Sequence, residues 1–125
     1  MSNPNIINVT TILGVTTYLT PANTTANTLL SNAASSGLVY KINQIVCANV
    51  NGGSAVNATV AINSAAAGAG TNYPVISTIS VPASASVICT DKTTAIYLTE
   101  NSSIVVTSGT SSGITYTLSY ESIAA

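Results

Sequence analysis

The sequence predicts an all-β fold, an antiparallel β-sandwich of jelly-roll or immunoglobulin-like type with seven to nine strands. Short runs in which apolar residues alternate with Thr, Ser or Asn recur at spacings of about 8–12 residues between turn signals. No long window carries the 3.6-residue apolar period of an amphipathic helix. The connections are too short for helical crossovers, so the strands should pair antiparallel.

From the N-terminus, Asn5–Leu13 and Val15–Thr20 read as one or two strands, ended by Pro21. Ala22–Ser36 is polar and reads as a loop, with a short strand or turn around Leu29-Leu30. Leu38–Val50 is the strongest strand, and Asn51-Gly52-Gly53-Ser54 reads as the turn of a hairpin returning into Ala55–Asn63. On that strand either Ile42, Val46 and Val50 or Ile45 and Cys47 face the core. Asn43, Asn49, Asn57 and Thr59 suit either water or a partner. Ser64–Asn72 is a small-residue loop of flexible composition, followed by the strand Tyr73–Val81 with Pro74 near its start, where a missing donor is tolerated. Ser86–Thr90 and Thr94–Thr99 come next, then Ile104–Thr107 and, after Ser108–Gly113, Ile114–Ile123. The last strand alternates cleanly: Ile114, Tyr116, Leu118 and Tyr120 on one face, Thr115, Thr117, Ser119 and Glu121 on the other.

The chain of 125 residues is read as a single domain, 1–125, with an apolar fraction of 46% that supports a packed core. Its charged fraction is 4%, against about 25% in a typical domain. The charges are Lys41, Lys92, Asp91, Glu100 and Glu121, and there is no Arg or His. Thr, Ser and Asn number 19, 17 and 13, so the polar surface is made of hydroxyls and amides. Two distant lysines cannot neutralise a run of phosphates, which argues against a nucleic-acid partner and against an anionic membrane. The N-terminal MSNPNIINVTTILGV lacks the basic and continuous apolar regions of a secretory signal, so assembly in the cytoplasm is expected.

Little in the chain can do chemistry. General acid–base work needs converging titratable groups, and Asp91, Glu100 and Glu121 all fall on turns or an outward strand face. No His stands ready to activate a Ser, Lys41 and Lys92 being the remaining bases. Gly68-Ala69-Gly70 lacks the strand–helix context of a phosphate cradle, and no run of acidic oxygens suits calcium. Cys47 and Cys89, without histidine, cannot complete a zinc site. They are either a cross-strand disulfide or two small buried hydrophobes; a reducing compartment favours free thiols. Sequons at Asn8, Asn23, Asn57 and Asn101 are as many as chance gives in so Ser/Thr-rich a chain. Tyr18, Tyr40, Tyr73, Tyr97, Tyr116 and Tyr120 could form a sugar platform or fill a sandwich core. The expectation is no enzyme, no metal and no cofactor.

An uncharged β surface suits association, because interface cores are depleted of Lys, Glu and Asp. Residues 1–20 carry no charge and form a candidate strand-exchanging or docking segment. The succession VYKINQIVCANVNGGSAVNATVAIN, YPVISTISVPASASV, DKTTAIYLTENSSIVVTSG and ITYTLSYESI resembles small virion proteins of tailed bacteriophages, cyanophages especially. The similarity covers about residues 37–123 and brings no catalytic residues. It implies a capsid decoration (cement) protein that packs on the major capsid protein, or else a tail, neck or fibre component that binds host carbohydrate. The implied partners are the major capsid protein and copies of the chain itself, with a trimer expected, and the implied location is the virion, reached after assembly in the host cytoplasm.

Overall fold

The structure, a computed structural model, describes residues 6–124. Nine strands form two antiparallel sheets: β1 (Thr11–Leu19), β2 (Asn27–Asn32), β3 (Leu38–Asn49), β4 (Val56–Asn63), β5 (Asn72–Val81), β6 (Ser86–Thr90), β7 (Ile96–Leu98), β8 (Ser102–Ser108) and β9 (Ile114–Ala124). The first sheet runs β1-β9-β3-β6, with β7 also on β3; the second runs β2-β8-β4-β5. First pairs with last, second with next to last, third with β6 and β7, and β4 with β5. This is one long hairpin, its tip at β4–β5, rolled into a sandwich. The pairing therefore selects the jelly roll from the two expected sandwich types.

The core lies between the sheets. Ile42, Ile45, Leu98, Ile114, Tyr116 and Leu118 of the first sheet meet Val56, Val60, Val81, Ile104 and Val106 of the second, all nearly or fully buried. Burying a residue of this size is worth about 1.5–3 kcal/mol, so this layer dominates stability. On β9 the alternation read from the sequence is observed, with Ile114, Tyr116 and Leu118 inward. The Tyr116 hydroxyl donates to the Thr107 carbonyl at 2.5 Å, tying the two sheets together.

On β3, neither single alternation holds. Ile42, Ile45 and Cys47 all face the core, because the register to β9 slips between Ile42 and Gln44 and leaves Asn43 in a bulge. A bulge adds one residue and so exchanges the two faces of the strand beyond it. Val46 then falls on the outer face, and Val50 is exposed beyond the strand end.

The hairpin expected at Asn51-Gly52-Gly53-Ser54 is corrected: it is an arch between sheets. β3 pairs with β9, β6 and β7, whereas β4 pairs with β5 and β8. Turn residues report a change of direction, and the pairing partner is a tertiary choice. Buried asparagines at strand ends hold such crossings. Asn49 accepts from Asn51 N (2.8 Å) and donates to the Ser54 and Val81 carbonyls (3.0 and 2.9 Å). Asn32 donates to the carbonyls of Leu38 and Leu98 (2.9 and 3.0 Å).

The expected loop at 22–36 contains a true strand, β2, in which Leu29 and Leu30 are both buried beside a register slip. At the N-terminus, the described part of the expected strand segment is a single strand from Thr11, and Asn5 lies outside the described residues.

Residues 64–72 are not a free loop either. Asn63 accepts from Ala65 N (3.0 Å) and Gly70 N (2.8 Å) and donates to Asn72 Oδ1 (2.6 Å). Ser31 and Ser103 accept from Ala67 N and Gly68 N at 3.1 Å, laying the segment flat on the outer face of the second sheet. Gly68 has φ +73°, and a Cβ there would meet Thr28 Oγ1 and Val105 Cγ1 at 3.2 Å, so small residues are required for the fit. Under this cover Ala61, Ser103 and Val105 are buried, and β8 is covered on both faces.

Candidate functional site

The carboxylates considered for catalysis are dispersed on structural duties. Asp91 caps a short 3-10 turn, its Oδ1 accepting from Thr93 N (2.9 Å) and Thr93 Oγ1 (2.5 Å); these bonds favour the ionised carboxylate and hold it below its ordinary range. Glu100 accepts from Gly37 N at 3.2 Å, and Glu121 lies 3.9 Å from the Lys41 ammonium. Among the described residues, no three His, Cys, Asp or Glu side chains converge in a way that could hold a metal ion. No helix among them is long and apolar enough to cross a membrane.

The six tyrosines divide as well. Tyr116 is buried, its hydroxyl pushed up by burial, and Tyr40 and Tyr120 pack ring to ring at 4.9 Å against the core. Tyr18, Tyr73 and Tyr97 are exposed on three different strands. Of the polar residues held open for water or a partner, Asn49 is used inside the arch, and Thr59 Oγ1 accepts from Thr78 N at 2.9 Å. Asn57 is exposed.

What remains is the outer face of the first sheet. Residues paired across strands point to the same side, so the register defines this face row by row. Gly14, Glu121, Lys41 and Tyr97 form one row; Tyr18, Thr117, Val46 and Ile88 form another, and Thr16 and Ser119 lie between them. Ile12 (53% exposed), Tyr97 (46%), Ile88 (58%) and Tyr18 (75%) stand out among hydroxyls. The hydroxyls bond to one another, Thr16 to Ser119 at 3.3 Å and Thr20 to Thr115 at 2.8 Å. The Lys41–Glu121 pair is the charge on these strands' outer face, and both side chains are about one-third exposed. Such a pair adds little stability in water.

At one edge of this face lies β1. Its nine residues pair with β9 in an unbroken register, and none is buried. Ile12 and Tyr18 point outward; Leu13 and Val15 lie on the opposite, core-side face of the strand yet remain exposed. Among the described residues, its far edge pairs with no strand. In the middle of the face, Asn43, Gln44, Asp91, Lys92, Thr93 and Ser119 line a shallow depression of about 470 Å³. The buried Oδ1 of Asn43 has no hydrogen-bond partner there. The bulge that puts Asn43 in this place has no signature in the sequence pattern.

Cys47 and Cys89, which the sequence left in separate runs, are brought together on β3 and β6 with their sulfurs 3.2 Å apart as free thiols.

No family model matches the chain, and no curated protein matches it. A solved structure from Bacillus endospore appendages, described as a novel family of disulfide-linked pili, is similar in fold. It is 15% identical, covers 92% of this chain and 88% of its own, and has a TM-score of 0.49.

Proposed function

We propose that the protein is a non-enzymatic structural subunit that works by packing its uncharged outer face and free β1 edge on other protein. The specific role is capsid decoration: copies sit on the major capsid protein of a tailed phage and brace the shell. The observation that carries this reading is a nine-residue edge strand with no charge and no buried side chain, continuous with a sheet face that shows Ile12, Tyr18, Ile88 and Tyr97. Soluble β proteins blunt such edges with charge, proline or bulges, and an edge left open is one that meets a partner. Thr, Ser and Asn around the apolar residues desolvate at far lower cost than Lys or Glu.

The test is cosedimentation of the purified protein with decoration-free heads, from about 0.05 M to about 1 M salt. Saturable, stoichiometric binding that persists across this range is expected. Binding that collapses with salt, or none to heads, overturns the role. A second reading, a tail or fibre component that binds carbohydrate, draws on the depression lined by Asn43, Gln44, Thr93 and Ser119, whose amides and hydroxyls suit sugar hydroxyls. Glycan-array binding lost in Asn43→Ala, with no attachment to heads, is the result that favours it.

A further inference from the structure

β6 closes the first sheet on the side away from β1. Its register to β3 pairs Val87 with Cys47 and Thr90 with Ile45, but slips in between, so Cys89 is the extra residue of a bulge. The bulge leaves Cys89 without a cross-strand partner of its own. Its thiol instead donates to Cys47 Sγ at 3.2 Å, while the Cys47 thiol faces the Val87 carbonyl at 3.5 Å. Cys47 is fully buried and Cys89 partly exposed. Nothing in the proposed function uses either thiol.

We infer that Cys47 and Cys89 form a closable dithiol, the site of an intramolecular cross-strand disulfide that is made when the protein meets a small-molecule disulfide. The two sulfurs are already neighbours on adjacent strands, 3.2 Å apart, and a short approach by the bulged Cys89 brings them to bonding distance. The bond would close the segment from 47 to 89, which contains the whole β4–β5 hairpin, and would tie the short β6 to the centre of its sheet. Where thiols are kept reduced the pair stays open; outside such a compartment it closes.

The reaction is thiol–disulfide exchange. Cys89, the accessible thiol, attacks an oxidised glutathione sulfur as its thiolate, forming a Cys89–glutathione bond and releasing one glutathione. Cys47 then attacks the Cys89 sulfur, forming the Cys47–Cys89 bond and releasing the second. The two electrons of the thiols reduce one disulfide to two thiols, which take up the two protons. The hydrogen bond from Cys89 lowers the Cys47 thiol, and the same bond with burial pushes Cys89 up. Entry falls to Cys89 because Cys47 is fully buried, and Cys47 lies 3.2 Å away to resolve the adduct.

The test uses the full chain, purified reduced, freed of reductant and incubated with oxidised glutathione. Intact mass and alkylatable thiols are read after unfolding. The expected product is a monomer that has lost two hydrogens and both thiols, retains no glutathione, and melts several degrees higher than the reduced form. Cys47→Ser is expected to stop at a stable glutathione adduct on Cys89, and Cys89→Ser to leave the buried Cys47 unmodified. Two thiols that stay alkylatable overturn the inference, as do retained glutathione on the wild type or disulfide-linked dimers. Should Cys47→Ser not fold, the wild-type mass and thiol count together with Cys89→Ser decide the matter.

Discussion

The two sheets end in edges of opposite design. β5, at the edge of the second sheet, carries Pro74, two register slips against β4 and a left-handed residue, Thr78, with φ 53°. Its irregular backbone offers no straight row of donors and acceptors. β1, at the edge of the first sheet, has none of these devices and runs nine residues in register. The faces beside them differ in the same sense. The second sheet wears the 64–72 segment over Val105 and Ala61, whereas the first leaves Tyr18, Ile88 and Tyr97 in the open. Both edges lack charge, so composition does not distinguish them. One side of this sandwich is covered by its own chain, while the other, among the described residues, leaves Tyr18, Ile88 and Tyr97 exposed.

The sharpest way to break this contrast is to strip the second sheet of its cover. Asn63→Ala removes the acceptor of the part-buried Ala65 and Gly70 amides, which should cost about 1–3 kcal/mol. Hydrogen exchange should quicken across 64–72 and β5, and an apolar dye should bind more strongly. Unchanged exchange there would mean that the cover is not held by Asn63.

Next comes the open edge itself. Ile12→Lys with Tyr18→Lys places two charges on β1 at exposed sites, so folding stability should move by no more than about 0.5 kcal/mol per site. Attachment to heads, or self-association in sedimentation, should weaken by tenfold or more, about 1.4 kcal/mol. Tyr73→Lys on β5 should leave association unchanged. Equal losses at both edges would erase the distinction between them.

A smaller effect is expected at the Lys41–Glu121 pair. Replacing both by Gln should change the unfolding free energy by under about 0.5 kcal/mol and leave the salt-tolerant association unchanged. The smallest concerns Asp91, at the rim of the open face. Its carboxyl is held below its unfolded value of 3.8, so its contribution is present above that pH and lost as pH falls through the lower folded value. Melting temperature should be flat from about pH 8 to pH 5 and dip below about pH 4, with a shallower dip in Asp91→Asn.

Much of this architecture was legible in advance. β9 was readable from Ile114 to Tyr120, where one face is buried and the other partly open; the alternation ends beyond it, where Ile123 on the Glu121 face is buried. β3 was not, since the bulge at Asn43 puts Ile42 and Ile45 on the same side, and a pattern reader sees two competing alternations. The Asn-Gly-Gly-Ser segment was legible as a turn and misleading as a hairpin, because turn chemistry is local and sheet membership is not. The small-residue segment 64–72 looked free because its anchors, Ser31 and Ser103, lie far away in sequence. Asn49, expected to suit water or a partner, is an interior fastener at a strand end, as are the buried Asn32 and Asn63.

The sequence by itself determined that the chain would be an all-β sandwich with hydroxyls and amides where charges usually stand. Period-two burial and composition are local properties, and each residue carries its share of them. Only the tertiary structure decided which strands became neighbours, and hence which edge stayed open and which face was covered. It also decided that two cysteines in distant runs would lie 3.2 Å apart. Those outcomes depend on pairing the two ends of the chain and rolling the hairpin between them, and no local pattern records that step.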